Sequence, residues 1–419
     1  MTEYKSELMQ TLTERGFLYQ CTSGDGLDAA AAGGGLPGYI GFDCTAPSLH
    51  VGSLVQIMML RILQRSGCVP IVLLGGGTTK IGDPSDKNSS RPILTPEQIE
   101  TNKDGIRRVF ARFLDFEGEN AAIMVDNDDW LGGLGYIDFL REVGTQFTVN
   151  RMVGMETVKR RLDNEQPMTF LEFNYPLLQS YDFVELYRRH GCRLQLGGSD
   201  QWGNITTGVD LTRRMEGAEV FGFTTPLITT ASGGKMGKTA DGAVWLNGDP
   251  TLGEDFTRSP YEYWQFWRNT EDADTERFLK LFTDLPLDEI AAIVSGDPIA
   301  AKVRLADEAT ALLHGAGAAA EAKATAKATF SGGAGAALPT TEVGLDVLLG
   351  MGILNAAVTA GLAASNGEAR RHIKAGALKL NNVAVASHER TIGADDIEDG
   401  TVKLSVGKKR HALLKATAG

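Results

Sequence analysis

The chain has 419 residues, 42% of them hydrophobic and 22% charged, enough apolar side chain for about two or three packed domains and too little charge for a disordered chain. Its 41 Lys and Arg against 53 Asp and Glu leave a formal charge of -12, which excludes a chain-wide grip on phosphate backbones and confines any nucleic-acid contact to a local patch. Four scattered cysteines without a CxxC, and six histidines without an HxxxH pair, offer neither a disulfide framework nor a structural zinc site.

The N-terminus, MTEYKSELMQ, is mixed in charge and lacks the apolar stretch of a signal peptide. The longest uncharged run, Ser66 to Thr79, is too short and too broken by Pro70 and glycines to span a bilayer. A cytoplasmic chain without a membrane partner is expected. A helix of about 14 residues is predicted from Glu3, with Leu8, Met9 and Leu12 on one side. Gly24, Gly26 and Ala29 then fit a GxGxxA spacing, but no strand is predicted before them and dinucleotide binding there is not expected. YIGFD (Tyr39 to Asp43) reads as a strand, Leu49 to Arg65 as a helix and Val69 to Leu74 as a buried strand. This βαβ unit requires a parallel pair with a right-handed crossover.

The alternation continues with a helix after Thr95, a strand near Ala121 to Val125, helices at Tyr136 to Val143 and Met152 to Leu162, a helix ending at His190 and a strand at Arg193 to Leu196. Thr169 and Glu172 form a capping box for the helix to His190, and Pro176 predicts a restart or kink at Asn174. The pattern specifies a doubly wound α/β nucleotide-binding domain over residues 1–225. Residues 226–330 read as a small α-helical domain with apolar faces from Tyr263, Trp264, Trp267, Phe278 and Phe282, and residues 331–343 as a Gly- and Ala-rich linker. The remaining module, 344–419, has a helix carrying Arg370, Arg371 and Lys374, then strands ALKLN and VAVA around a turn at Asn381 and Asn382. From Glu368 onward there are ten Lys or Arg against six Asp or Glu. Basic charge is thus concentrated where a nucleic-acid contact needs it.

DCTAPSLHVGS places Thr45, His50, Gly52 and Ser53 at the carboxyl end of a parallel strand and the start of the next helix, where open α/β sheets bind ligands. The helix start offers N–H groups and partial positive charge to phosphate, Gly52 admits a flat base or ribose, and His50 can donate to phosphate or simply cap the helix. GGGTTKIGDPSDK is no Walker A loop, because Asp83 and Pro84 follow Gly82 where Lys and Ser would be required. Asp83 suits a substrate ammonium, or a plain turn. Tyr175, Gln179 and Asp182, at i, i+4 and i+7, form one polar stripe on a helix otherwise apolar in Leu177, Leu178, Tyr181 and Phe183, so they are expected to be buried and partnered. LQLGGSDQWGN opens a second helix at the same sheet edge, with Asp200 able to accept from ribose hydroxyls and Gln201 beside it. GGKMGKT puts Lys235 and Lys238 in a Gly-rich loop, where two ammonium groups either close on a polyphosphate or stay solvated.

In this order and spacing the motifs resemble those of the bacterial tyrosyl-tRNA synthetases, a family of class I aminoacyl-tRNA synthetases. His50 to Ser53 is similar to the HIGH signature and Lys235 to Thr239 to the KMSKS signature, while IGDPS, LLQSYDF and GGSDQWGN resemble segments of the tyrosine enzyme. The likeness runs from Gly16 to Leu414, and the last module resembles the αL RNA-binding motif. The resemblance implies a Rossmann-like catalytic domain, a helical domain on the anticodon side and an αL-type RNA-binding module. By position it puts the substrate phenol between Tyr39 and Asp182, its ammonium among Asp83, Tyr175 and Gln179, and Gln201 near the reacting carboxylate. ATP would lie over His50, Gly52 and Gly198, with Asp200 at the ribose, Asp43 and Thr45 facing the nucleotide, and Lys235, Lys238 and Thr239 at the pyrophosphate. Lys87 and Arg91 are similar to the family's additional basic residues. Arg370, Arg371, Lys374, Lys408, Lys409 and Arg410 are expected at RNA phosphates. The partners implied are L-tyrosine, ATP with magnesium on its phosphates, tRNA(Tyr) and a second copy in a homodimer; no protein-bound metal is expected.

One position departs from the family: Ser53 stands where the fourth residue of HIGH is His, offering a shorter hydroxyl donor. The implied chemistry needs no general base, since a carboxylate attacks the α-phosphorus of ATP in line and the protein has to position and neutralise. Phenylalanine would leave Tyr39 and Asp182 unpartnered, a means of discrimination for which tyrosyl enzymes are themselves the standing illustration. Rival readings are a small-molecule nucleotidyltransferase, opposed by the tyrosine-type residues and the basic C-terminal module, and a catalytically inactive RNA-binding protein, opposed by Lys235, Lys238, Asp200 and Gln201. The tryptophanyl relative is disfavoured by Tyr39, Gln179 and Asp182.

Overall fold

The βαβ unit expected at residues 39–74 forms the centre of a six-stranded sheet in the computed structural model, which describes residues 3–83, 94–234, 236, 238–239, 242–252, 256–330, 338–407 and 410–417. The strands are β1 (Gln20–Cys21), β2 (Pro37–Asp43), β3 (Val69–Gly75), β4 (Ile123–Asp126), β5 (Leu194–Gly198) and β6 (Phe221–Thr225), in the order β1-β6-β5-β2-β3-β4. All pairs are parallel except the edge pair of β1 with β6. The central strands are near-continuous apolar runs, with Ile71 to Leu74 fully enclosed, as a sheet covered by helices on both faces requires.

From β2 the chain winds outward through β3 to β4, then returns to the other side of β2 for β5 and β6. The winding direction therefore reverses between β2 and β5, the place where doubly wound sheets open a crevice. These two strands pair only at Gly38 with Leu194 and Tyr39 with Gln195. Beyond that point their carboxyl halves part, and the gap becomes the site described below.

Several elements differ from the sequence expectation. The first helix spans only Glu7–Glu14, because Ser6 caps it, accepting from the Met9 N–H while donating its hydroxyl to Asp28 at 2.7 Å. Gly24–Ala31 is a helix capped by Ser23, and the short β1 precedes it at the sheet edge. The helix expected at Met152 to Leu162 is two, Val149–Val153 and Glu156–Asp163, separated at Gly154. Pro176 does not interrupt Phe170–His190, which is one helix entered through the Thr169 and Glu172 capping box. Burial of Leu177, Phe183, Val184 and Leu186 offsets the about 3 kcal/mol that an internal proline costs.

After β6, a two-stranded hairpin pairs β7 (Lys238–Thr239) with β8 (Gly242–Ala243). The chain divides into two compact units, Met1–Arg258 with Thr270–Leu305, and Ser259–Asn269 with Ala306–Gly419. The second unit holds the helices Pro260–Arg268 and Ala316–Phe330 and a sheet ordered β11-β10-β12-β13-β9. Its strands are β9 (Thr340–Gly344), β10 (Leu378–Leu380), β11 (Val383–Ala384), β12 (Thr401–Val406) and β13 (Arg410–Thr417). Asn381 and Asn382 take φ values of 44 and 68°, closing the tight β10–β11 hairpin in the left-handed region that asparagine tolerates.

Candidate active site

A cavity of about 820 Å³ fills the gap between β2 and β5. Tyr39, Asp43, Thr45, His50, Gly52 and Ser53 reach it from β2 and the helix after it; Asp83, Tyr175, Gln179 and Asp182 close one side; Gly198, Asp200 and Gln201 enter from the end of β5. Thirteen residues far apart in sequence thus share one space. Lys87, Arg91 and Lys235 lie outside the described residues, and Lys238 and Thr239 are described only as the backbone of β7.

The floor of the cavity is a buried polar cluster. Asp182 is 2% exposed, and its two oxygens accept from the Trp130 indole N–H at 2.8 Å and the Asn127 amide at 3.1 Å. Burial pushes its pKa up to about 7, and the nearby charges of Asp43 and Asp126 add to the rise while the two donors oppose it. Tyr39 stands across from it, 1% exposed, and its hydroxyl has no hydrogen-bond partner among the described residues. A buried hydroxyl left so is costly unless a ligand completes it. Burial first, then the Asp182 carboxylate, raise the Tyr39 phenol well above its ordinary range.

Asn127 is a hub that the sequence did not point out. Its side-chain oxygen accepts from the Gly77 N–H at 2.8 Å, while its amide reaches both Thr78 Oγ1 and Asp182 at 3.1 Å. Asn127 and Trp130 follow directly on β4, at the carboxyl edge of the sheet, and that position was the available signal. Gln195 and Gln56 also line the cavity, each with its side-chain oxygen buried and unpartnered among the described residues. Beside this floor, Gln201 donates to Asp83 at 3.3 Å and to Asp200 at 3.0 Å, and its oxygen accepts from Gln179 at 3.4 Å. These links fix the Asp83 carboxyl group against the cavity.

At the helix-start side of the cavity, His50 is the N-cap of helix Val51–Arg65, and its Nδ1 accepts from the Gly52 N–H at 3.0 Å. The capping role is thus real, and it leaves the ring proton on Nε2. A Cβ at Gly52 would sit 2.6 Å from the His50 ring and 3.2 Å from the Met236 carbonyl, so only glycine fits between the helix start and the lysine loop. The segment after β8 is joined to the same place: Val51 donates to the Val244 carbonyl, Leu246 donates to the Leu49 carbonyl, and Trp245 sets its ring edge against His50 at 5.9 Å. Among the described residues no group of His, Cys, Asp and Glu side chains is arranged to hold a metal ion.

Residues 35–331 match the family described as tRNA synthetases class I (W and Y). The chain belongs to that family. The tyrosine–tRNA ligase of Rhodospirillum rubrum is 56% identical over 100% of both chains, and that of Xanthobacter autotrophicus 58% identical over 98% of both. A C-terminally truncated mitochondrial tyrosyl-tRNA synthetase from Aspergillus nidulans, of known structure, is 30% identical with a TM-score of 0.68, covering 76% of this chain and 92% of that one. Likeness to the Archaeoglobus fulgidus enzyme, at 19% identity and a TM-score of 0.55 over 74% of this chain and 99% of that one, is one of fold. The family match ends at residue 331, so the basic C-terminal module lies beyond it.

In that module Arg370, Arg371 and Lys374 are exposed on the helix Asn366–Lys374, capped by Ser365. Arg410 opens β13 and donates to the Gly361 carbonyl at 3.2 Å, whereas Lys408 and Lys409 lie outside the described residues.

Proposed function

We propose that the chain is a tyrosine–tRNA ligase, forming tyrosyl-adenylate and pyrophosphate from L-tyrosine and ATP and then transferring the tyrosyl group to the 3′-terminal ribose of tRNA(Tyr). The single observation that carries this reading is the buried pair of Tyr39 and Asp182 at the cavity floor, an end matched to a hydroxyl. In this reading the substrate phenol donates to Asp182 and meets the Tyr39 hydroxyl, and its ammonium lies among Asp83, Tyr175 and Gln179. The tyrosine carboxylate, near Gln201, attacks the α-phosphorus; the bond to pyrophosphate breaks as the new one forms. His50 Nε2 and the positive end of the Val51–Arg65 helix dipole face the negative charge that develops. Asp200 takes the ribose, Gly52 and Gly198 admit the nucleotide, Asp43 and Thr45 face it, and Lys235, Lys238, Thr239, Lys87 and Arg91 neutralise the phosphates. Magnesium enters with ATP, on its phosphates.

The reading includes a cytoplasmic homodimer. Tyr136, Ile137, Val149, Leu162 and Phe170 stand exposed on successive helices between 136 and 171, a concentration of apolar side chains suited to a second copy. No helix among the described residues is long and apolar enough to cross a membrane. Residues 1–225 serve as catalytic domain, 226–330 as the lysine loop and anticodon-side helices, 331–343 as linker and 344–419 as RNA-binding module.

Pyrophosphate exchange with each of the twenty amino acids tests the activity: tyrosine alone should support it, and exchange with tryptophan in its place would overturn the assignment. Ser53→Ala should slow adenylation by only ~0.5–1.5 kcal/mol, the worth of one neutral hydrogen bond. A larger loss in exchange rate would mean that the serine does the full work of a histidine. Replacing Arg370, Arg371 and Lys374 with Ala should weaken tRNA binding and flatten its log-log salt dependence by about 0.7–0.9 for each phosphate no longer neutralised. Filter binding at several salt concentrations reads both, and an unchanged slope would remove these residues from the RNA surface.

A further inference from the structure

Helix Pro96–Phe110 contributes no side chain to the cavity, yet it carries a lysine, Lys103, whose side chain is only 7% exposed. A buried ammonium is costly unless paired. Its Nζ lies 2.6 Å from Asp126 Oδ2 at the end of β4, and Glu100, one turn earlier and largely exposed, completes the pair from the surface side. The other Asp126 oxygen accepts from the Gly76 N–H at 3.1 Å and the Asp128 N–H at 2.9 Å. A Cβ on Gly76 would meet that oxygen at 2.3 Å, so β3 and β4 are drawn together around this carboxylate. The next residue is Asn127, whose amide holds Asp182.

We propose that Lys103 is a positioning residue of the amino-acid site, fixing Asp126 so that Asn127 is held against Asp182 and cancelling the charge that Asp126 would otherwise project onto it. The proposal rests on the reading of Asp182 as the phenol's acceptor. The charged and titratable groups around that acceptor, among the described residues, come from several elements. Tyr39 and Asp43 lie on β2; Asp126 ends β4, and Asp128, in the helix Asp128–Leu131 after it, is paired with Lys80 at 2.6 Å; Lys103 and Glu100 come from helix Pro96–Phe110; and Arg189, on the helix of Asp182 itself, lies over the Trp130 ring at 5.2 Å. Among these, Lys103 is the cation paired directly to a carboxylate that acts on Asp182.

The test is the tyrosine KM in pyrophosphate exchange from pH 6 to pH 9, on the full-length chain, for the wild type, Lys103→Met, Asp126→Asn and the double variant. In the wild type, KM should fall as pH rises through the titration of Asp182. Lys103→Met leaves Asp126 unbalanced and should move that midpoint upward, raising KM at neutral pH by up to about tenfold for each pH unit moved. Asp126→Asn keeps an oxygen to accept from both backbone N–H groups, removes the negative charge and should move the midpoint downward. The double variant should return towards the wild-type profile. A midpoint that stays fixed in both single variants, or a loss in Lys103→Met that is uniform across pH and not relieved by the second change, would overturn the role. Should Lys103→Met fail to fold, the downward shift in Asp126→Asn decides alone. A wild type without tyrosine-dependent exchange would instead sink the functional reading beneath the proposal.

Discussion

Asp182→Ala should cost about 3–5 kcal/mol in kcat/KM for tyrosine while leaving the use of phenylalanine little changed, so that the preference for tyrosine collapses. The size comes from two effects. The phenol loses a charge-assisted hydrogen bond, the Trp130 indole is left as a buried donor without an acceptor, and the Asn127 amide keeps only Thr78 Oγ1. Single-turnover adenylation with both amino acids measures the effect; a variant that still rejects phenylalanine as the wild type does would place the phenol elsewhere. The pH dependence has a definite sign. With a pKa raised to about 7, Asp182 accepts the phenol proton best once deprotonated, so tyrosine should bind more tightly as pH rises through about 7. Fold stability should move the other way. An ordinary Asp titrates near ~4 in the unfolded chain, so the folded state binds the extra proton between about pH 4 and about 7, and the contribution present below that window is lost across it. Urea midpoints of the wild type and Asp182→Ala at pH 5 and pH 8 should diverge accordingly, the wild type losing more stability on the rise.

That Asp182 would be buried and partnered was legible from its stripe with Tyr175 and Gln179 on an apolar helix. Its partners were not, because hydrogen bonds between the end of β4 and helix Phe170–His190 cross 52 and 55 residues and depend on strand order. Strand order is also what places the crevice. A linear pattern of alternating helices and strands states that the sheet is parallel, but not that β5 returns to the far side of β2 and pairs with it at only two positions. The break expected at Pro176 is absent for a related reason: a local rule about proline is outweighed by tertiary burial, which no window of sequence contains. Gly154 shows the converse. It ends a short, exposed helix because little packing there opposes the local preference. The motifs at β2 and β5 were legible because each couples a strand end to a helix within a dozen residues, the range over which backbone geometry is set by neighbours.

His50→Ala should lower the adenylation rate by about 2–4 kcal/mol of transition-state energy with little change in tyrosine affinity. The geometry separates two jobs that one ring performs. Nδ1 caps helix Val51–Arg65 by accepting from the Gly52 N–H, and losing a cap costs ~1 kcal/mol of fold stability. Nε2 carries the proton and, in the proposed reaction, donates to an α-phosphate oxygen only as charge builds there, an effect seen in kcat rather than in tyrosine binding. His50→Asn distinguishes the jobs. Its side-chain oxygen can take over the Gly52 N–H, since asparagine is among the preferred N-caps, and stability should therefore be kept. Its amide is shorter than the imidazole and cannot reach the Nε2 position, so most of the rate loss should persist. Burst kinetics of adenylate formation alongside thermal melts read the two separately. A His50→Asn variant with both stability and rate restored would reduce His50 to a helix cap and leave the developing phosphate charge to the helix dipole and the lysine loop.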